Sequence, residues 1–239
     1  MPSRISPFSD VGGSAPELEP GNRARLRDTR SRWLGCGSPR ALVAAAVGLG
    51  LADWVFRRAG DSFFPGGPLD ETAHLLTALI VLWALGRRVC DRFLIPALVA
   101  SVAIDLDHVP GQLGHDFLTR GTSRPYTHSL LSIVVVLAVA VLWRSRRDLM
   151  LGIAVGLAIH FWRDMAEGDA GVALLWPFSD HSFRFSHAGY LIVMALFAAG
   201  AATRCRRRRL ARSDGSVPAG AGSRPRPGTA EAEAPLPSE

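Results

Sequence analysis

Ile133-Val134-Val135-Val136-Leu137-Ala138-Val139-Ala140-Val141-Leu142-Trp143 carries no polar residue on any face of a helix. A helix at the surface of a soluble bundle keeps a polar stripe for water, so a run that is apolar all round belongs to a membrane span or a wholly enclosed core. The run lies in an apolar block at 129–143, and five more blocks stand at 41–56, 74–86, 93–104, 149–162 and 188–203. Most are near sixteen residues or shorter. A helix needs roughly 20 residues to cross hydrocarbon, so flanking polar residues must complete each crossing. The pattern predicts an all-α protein, a multi-pass transmembrane bundle of about six helices with five in its core. Residues 1–38, rich in Ser, Pro, Gly and Arg, and 213–239, rich in Pro, Ala, Gly and Glu, have no apolar period. Both are expected to be disordered, flanking a helical membrane domain at 39–212.

The chain has no Lys, and its 27 basic residues are all arginines, which fits a GC-rich coding bias. Their positions therefore say more than their sum. With the amino terminus inside, 21 of the 27 fall before the first block, in the links at 87–92 and 144–147, and after the last block. Arg57, Arg58, Arg120, Arg124, Arg163 and Arg184 remain on the other side. That bias predicts a membrane protein with both termini in the cytoplasm. Arg57 and Arg58 oppose it; were the first block not a span, the amino terminus would move outside and the other assignments would stand. Cys36, Cys90 and Cys205 lack metal-type spacing, and no disulfide framework is expected. Arginines rather than an apolar segment precede Leu34-Gly35-Cys36, so neither a lipid anchor nor a cleaved signal peptide is expected there.

Under this topology His74 opens the second block, Asp105, Asp107 and His108 close the third, His128 opens the fourth, and His160 and Asp164 close the fifth. Four helices thus bring ionisable groups to one membrane face, where the desolvation cost of such groups makes them functional candidates. His160 and Asp164, four apart, stack a turn apart on a helix, where they can bind one ion or adjacent ions, or simply bond to each other. Asp105-Leu106-Asp107-His108 puts two carboxylates and an imidazole just before Pro110. That set suits Zn, Mn, Fe or Mg; the plainer reading is a polar helix terminus beside water. In Arg124-Pro125-Tyr126-Thr127-His128-Ser129, Arg124 has the fork that pairs with a phosphate or carboxylate. Thr127 and Ser129 read equally well as caps of the fourth block, a role for which His128 is poorly suited. His115, His181 and His187 lack ligand-like partners at short spacing and read as surface or supporting residues. Gly152 and Gly156 have the small-xxx-small spacing that lets helices approach closely.

Three motifs, in order, resemble a known family: Ile104-Asp105-Leu106-Asp107-His108, Tyr126-Thr127-His128-Ser129-Leu130-Leu131, and His160-Phe161-Trp162-Arg163-Asp164 followed by Gly171-Val172-Ala173-Leu174-Leu175-Trp176-Pro177. After an initial His74 they are similar to the predicted membrane-bound metal-dependent hydrolases of the YdjM-like family, over about residues 72–197. The resemblance implies a multi-helix inner-membrane protein, distantly similar to zinc-dependent phospholipases C and single-strand nucleases that hold clustered metals with His and Asp. The chain departs from the family at Arg124-Pro125-Tyr126, where a His-Arg-Gly type stretch is common, and the first block and both tails lie outside the shared core.

The leading expectation is a metal-dependent hydrolase in which one or two divalent ions, zinc first and Mn or Mg as alternatives, activate water toward a phosphoester or lipid-linked substrate. His74, Asp105, His108, His128, His160 and Asp164 are the expected ligands. Asp107 is a seventh ligand or the base that orients the water, and Arg124 offsets phosphoryl charge. Membrane lipids and such a substrate are the expected partners, not nucleic acid. The rival is a transporter or channel using the same cluster as a cation or proton site, although transporters usually place such sites near the midplane on broken helices. A structural protein without chemistry leaves the one-sided cluster unexplained.

The arginine bias sets a test in intact cells. With the native cysteines removed, Thr119→Cys should react with an impermeant thiol reagent and Arg146→Cys should not; the opposite pattern would invert the topology.

Overall fold

The computed structural model describes residues 38–59, 64–119, 122, 124–167 and 170–214. The segments expected to be disordered fall outside these residues except at Ser38 and at 213–214, which end a helix. Six long helices form the fold: α1 Pro39–Ala59, α2 Gly66–Leu85, α3 Arg87–Ala103, α4 Leu130–Leu142, α5 Arg147–Asp164 and α6 His187–Asp214. The six apolar blocks each seed one helix, and polar flanks lengthen most of them. Among the described residues the only bridging pair outside helices is Val172 with Phe183.

Local chemistry explains the ends. Ser38 accepts the Ala41 N–H on its hydroxyl oxygen at 3.1 Å, satisfying one free donor at the start of α1. Pro68 lies in the first turn of α2, where a missing N–H costs nothing. That helix begins eight residues before its apolar block, so His74 lies about two turns inside it rather than at its opening. Gly86, at φ 102°, stops α2 and returns its N–H to the Leu82 carbonyl at 3.1 Å. Ile104–His108 then continues α3 as a 3-10 turn, which turns Asp105, Asp107 and His108 toward the helix bundle. The expected capping of α4 is not made: Ser129 donates to the Tyr126 carbonyl and Thr127 to Asp107, so both hydroxyls are used outside the helix.

The most extensive packing is between α3 and α5, while α2 packs on α1, α3 and α6, and α4 packs on α5. Gly152 and Gly156 permit the first contact. A Cβ on Gly152 would come within 2.4 Å of the Pro96 ring, and one on Gly156 within 2.3 Å of the Ala97 carbonyl oxygen. The core between the helices holds Ala73, Ala78, Leu82, Ala97 and Tyr190, all fully covered.

The outer surface is apolar. Of the thirteen residues of α4 only Ala140 is buried, and Leu142 is 84 % exposed. A helix apolar on all sides and covered on so little of its surface needs an apolar medium around it. Helices α1, α2 and α6 contain stretches, Pro39–Arg58, Gly66–Leu85 and His187–Arg208, long and apolar enough to cross a membrane.

Gly156→Leu should break the α3–α5 contact, because the Ala97 carbonyl is backbone and cannot turn aside. The expected loss is about 1–3 kcal/mol in detergent unfolding, whereas Gly200→Ala, with no neighbour within 4 Å, should cost nothing. Equal stability of the two variants would count against the packing described.

Candidate metal centre

Four donor atoms from three separate parts of the chain meet beneath the end of α3. His128 Nε2 lies 3.1 Å from His160 Nε2, 3.2 Å from Asp105 Oδ1 and 3.5 Å from Asp164 Oδ2. His160 Nε2 lies 3.4 Å from Asp105 Oδ1 and 3.1 Å from Asp164 Oδ2. Donors of a small divalent ion, about 2.1 Å from a common centre, stand about 3.4 Å apart, and the five separations that involve a histidine nitrogen, between 3.1 and 3.5 Å, are of that size. His128, His160 and Asp164 are buried, and both Asp164 oxygens lack a hydrogen-bond partner among the described residues. Two carboxylates and two imidazoles gathered at one buried point form a donor set able to take up a cation.

Neighbouring groups orient these donors. His160 Nδ1 lies 2.8 Å from the Ser101 carbonyl, so that nitrogen carries a proton and donates it, which turns Nε2 toward the cluster. His128 Nδ1 lies 3.3 Å from Asp107 Oδ2, which also accepts from Thr127 Oγ1. Asp107 therefore stands behind the His128 ring. Burial alone would raise the Asp105 carboxyl, but hydrogen bonds from His128 and His160 outweigh it and hold the group well below the usual carboxylate range. Burial opposes charge on His128, yet Asp105 and Asp107 leave it more basic than an ordinary imidazole.

Asp164 joins this group to a second one. Its Oδ1 lies 3.3 Å from His74 Nε2 and 3.3 Å from the Arg124 guanidinium, and His74 Nε2 is also 3.4 Å from Asp70 Oδ1. The His74 and His160 rings stack with centroids 3.9 Å apart. Arg124 stays firmly cationic: burial opposes its charge, but Asp164 and Glu167 more than compensate. His108 is peripheral, its Nε2 3.9 Å from Asp105 Oδ1 and 3.8 Å from Asp107 Oδ1.

All six expected ligands, with Asp107 and Arg124, thus lie in one connected cluster. His115 and His181 are exposed, away from it, while His187 reaches Asp53 at 3.7 Å. Sequence reasoning passed over Asp70, Glu71, Glu167 and Asp53. Glu71 meets the Asp105 carboxyl. Buried Arg163 binds Asp53 at 2.9 Å, Glu167 at 2.9 Å and Asp70 at 3.3 Å, tying α1 and α2 to the end of α5. The spacing Asp70-x-x-x-His74 repeats that of His160-x-x-x-Asp164, and Arg163-x-x-x-Glu167 has the spacing of a helical ion pair although Glu167 lies just past the end of α5; both signals stand in the sequence.

A family model described as YdjM inner membrane protein matches residues 69–218, well over half of the chain. The match contains every residue of the cluster and α6, and excludes α1. No curated protein and no solved structure matches the chain.

Arg163→Met would leave Asp53, Asp70 and Glu167 without their buried cation, a change expected to cost about 3–5 kcal/mol. In unfolding titrations with denaturing detergent the variant should melt far earlier than Arg57→Met, whose side chain is exposed. Matching midpoints would remove the network from the account of stability.

Proposed function

The chain belongs to the YdjM inner membrane protein family, and from that premise and its His/Asp cluster we propose that it is a membrane-bound, metal-dependent hydrolase of phosphoesters. The observation that carries this reading is the convergence of His128, His160, Asp105 and Asp164, whose facing donor atoms stand 3.1 to 3.5 Å apart wherever a histidine nitrogen is one of the pair. Two carboxylates and two neutral imidazoles balance one divalent cation and match the donor preferences of zinc, with Mn or Mg as alternatives. His74 and Asp70, on the far side of Asp164, form the place for a second ion. When bound, a divalent ion there would supply an acidified water and polarise the bond under attack.

The chain's own residues supply the rest. Asp107 orients His128 through Nδ1, and the Ser101 carbonyl orients His160. Glu71, hydrogen-bonded to Asp105 and not needed as a ligand, is a carboxyl group placed to exchange a proton at the edge of the cluster. Arg124 has one terminal nitrogen 3.3 Å from Asp164 and the other 4.0 Å from Glu167, and its charge beside the cluster would offset that of a phosphoryl group. The arginine bias assigns both termini to the cytoplasm and the cluster to the outer side, so the substrate is periplasmic or comes from the bilayer. The cytoplasmic arginines then face anionic lipid head groups, each contributing about 1 kcal/mol. A transporter with a cation or proton site remains the rival; the cluster's position at the ends of α3 and α5 favours surface chemistry over a midplane relay.

Asp105→Ala and His160→Ala should each lower the metal found per purified chain while the protein still inserts, and should abolish cleavage of an aryl phosphodiester that the unaltered protein hydrolyses. Unchanged metal content in both variants would remove them as ligands. Full metal content with no cleavage of any phosphoester would sink the hydrolase reading.

A further inference from the structure

Helices α3 and α4 both pack along α5 yet scarcely touch each other. Between them runs a groove of about 750 Å³, floored by Ile153 and Leu157 of α5 and walled by Val99 and Ala103 on one side and Val135 on the other. That volume is typical of a site for one small ligand. Its mouth is broad: Val99 is 59 % exposed and Val135 52 %. Both belong to the apolar outer surface, so in the membrane the groove opens into hydrocarbon. From Ile95 to Ile104 its wall climbs nine residues, about 13 Å.

The groove ends at the segment that carries His128. Tyr126, Thr127, Ser129 and Trp176 close it. Tyr126 stacks on Trp176 with centroids 4.4 Å apart, and Thr127 donates to Asp107, the carboxylate behind His128. The hydroxyls at this end are spent on protein acceptors: Ser129 donates to the Tyr126 carbonyl at 2.9 Å and Ser132 to the Thr127 carbonyl at 2.5 Å. An entering molecule therefore meets carbon along the whole groove and polar chemistry only at its end. A partner helix would need a seam along the full length of α3 and α4, whereas this groove follows only the second half of α3 and the first half of α4.

We propose, resting on the phosphoester hydrolase reading above, that this groove holds the hydrocarbon chain of a membrane lipid whose phosphoester head meets the His/Asp cluster. Substrate then enters sideways from the bilayer. A chain leaving lipid for this groove gains no hydrophobic free energy, since both surroundings are apolar. Its contribution is orientation: it sets the depth and direction at which the phosphoester reaches the cluster.

The test uses the full chain in lipid nanodiscs and a hexadecyl phosphodiester with a diazirine midway along its chain. Photolysis and peptide mapping should put adducts at Val99, Val135 or Ile153. The double variant Val99→Trp, Val135→Trp should lower them about tenfold and slow hexadecyl ester hydrolysis by a similar factor, with a methyl ester cleaved as before. Val141→Trp, 71 % exposed and outside the groove, should change neither. Adducts spread evenly over the outer helices, cross-links from the groove to a second polypeptide, or equal slowing of both esters would overturn the proposal. Concentrated adducts without hydrolysis of either ester would uphold the groove and reject the hydrolase reading.

Discussion

Asp164 has no access to water, and its two oxygens serve different neighbours. One lies 3.1 Å from His160 and 3.5 Å from His128; the other lies 3.3 Å from His74 and 3.3 Å from Arg124. A buried carboxylate is strongly destabilising unless nearby cations and donors compensate it. The elements around Asp164 supply that compensation: α2 brings His74, the segment before α4 brings Arg124 and His128, and α5 itself brings His160 one turn back. The helices must stop where they do for these groups to meet. Removing any one leaves charge in a region with no water to screen it.

Holding that arrangement in a membrane cannot depend on apolar packing against solvent, since lipid is as apolar as the helices. The fold uses close approach and buried polar ties instead. Gly152 and Gly156 let α5 lie directly against α3, bringing His160 within 2.8 Å of the Ser101 carbonyl. Arg163, next to Asp164 in sequence and about 100° round α5 from it, binds Asp53, Asp70 and Glu167. One turn of α5 thus both faces the candidate metal centre and anchors the bundle beside it. Helix α1 lies outside the family match, yet its Asp53 is one of those anchors.

Residues that sit in a dense local motif are the ones the sequence makes legible. Asp105 to His108, Tyr126 to Ser129 and His160 to Asp164 stand out because ionisable groups are rare beside apolar blocks, and all of them reach the cluster. The start of α2 is less legible, since Gly66 to Thr72 contains Gly, Pro and acidic residues that carry no apolar period. That hides how Asp70 and Glu71 accompany His74. The roles of Thr127 and Ser129 also escape sequence reasoning: a hydroxyl before a helix fits a cap by spacing alone, and only the approach of Asp107 from α3 decides otherwise. The groove between α3 and α4 comes from packing absent between two helices far apart in sequence, a property with no local signature.

The central claim is that these buried donors are a metal shell and not a set of hydrogen-bonded side chains. X-ray absorption at the zinc edge, on purified protein loaded with one equivalent of zinc, tests this most directly. The account predicts four nitrogen and oxygen neighbours at about 2.0–2.1 Å, with the outer-shell scattering of two imidazole rings. A six-oxygen shell without imidazole scattering would contradict it.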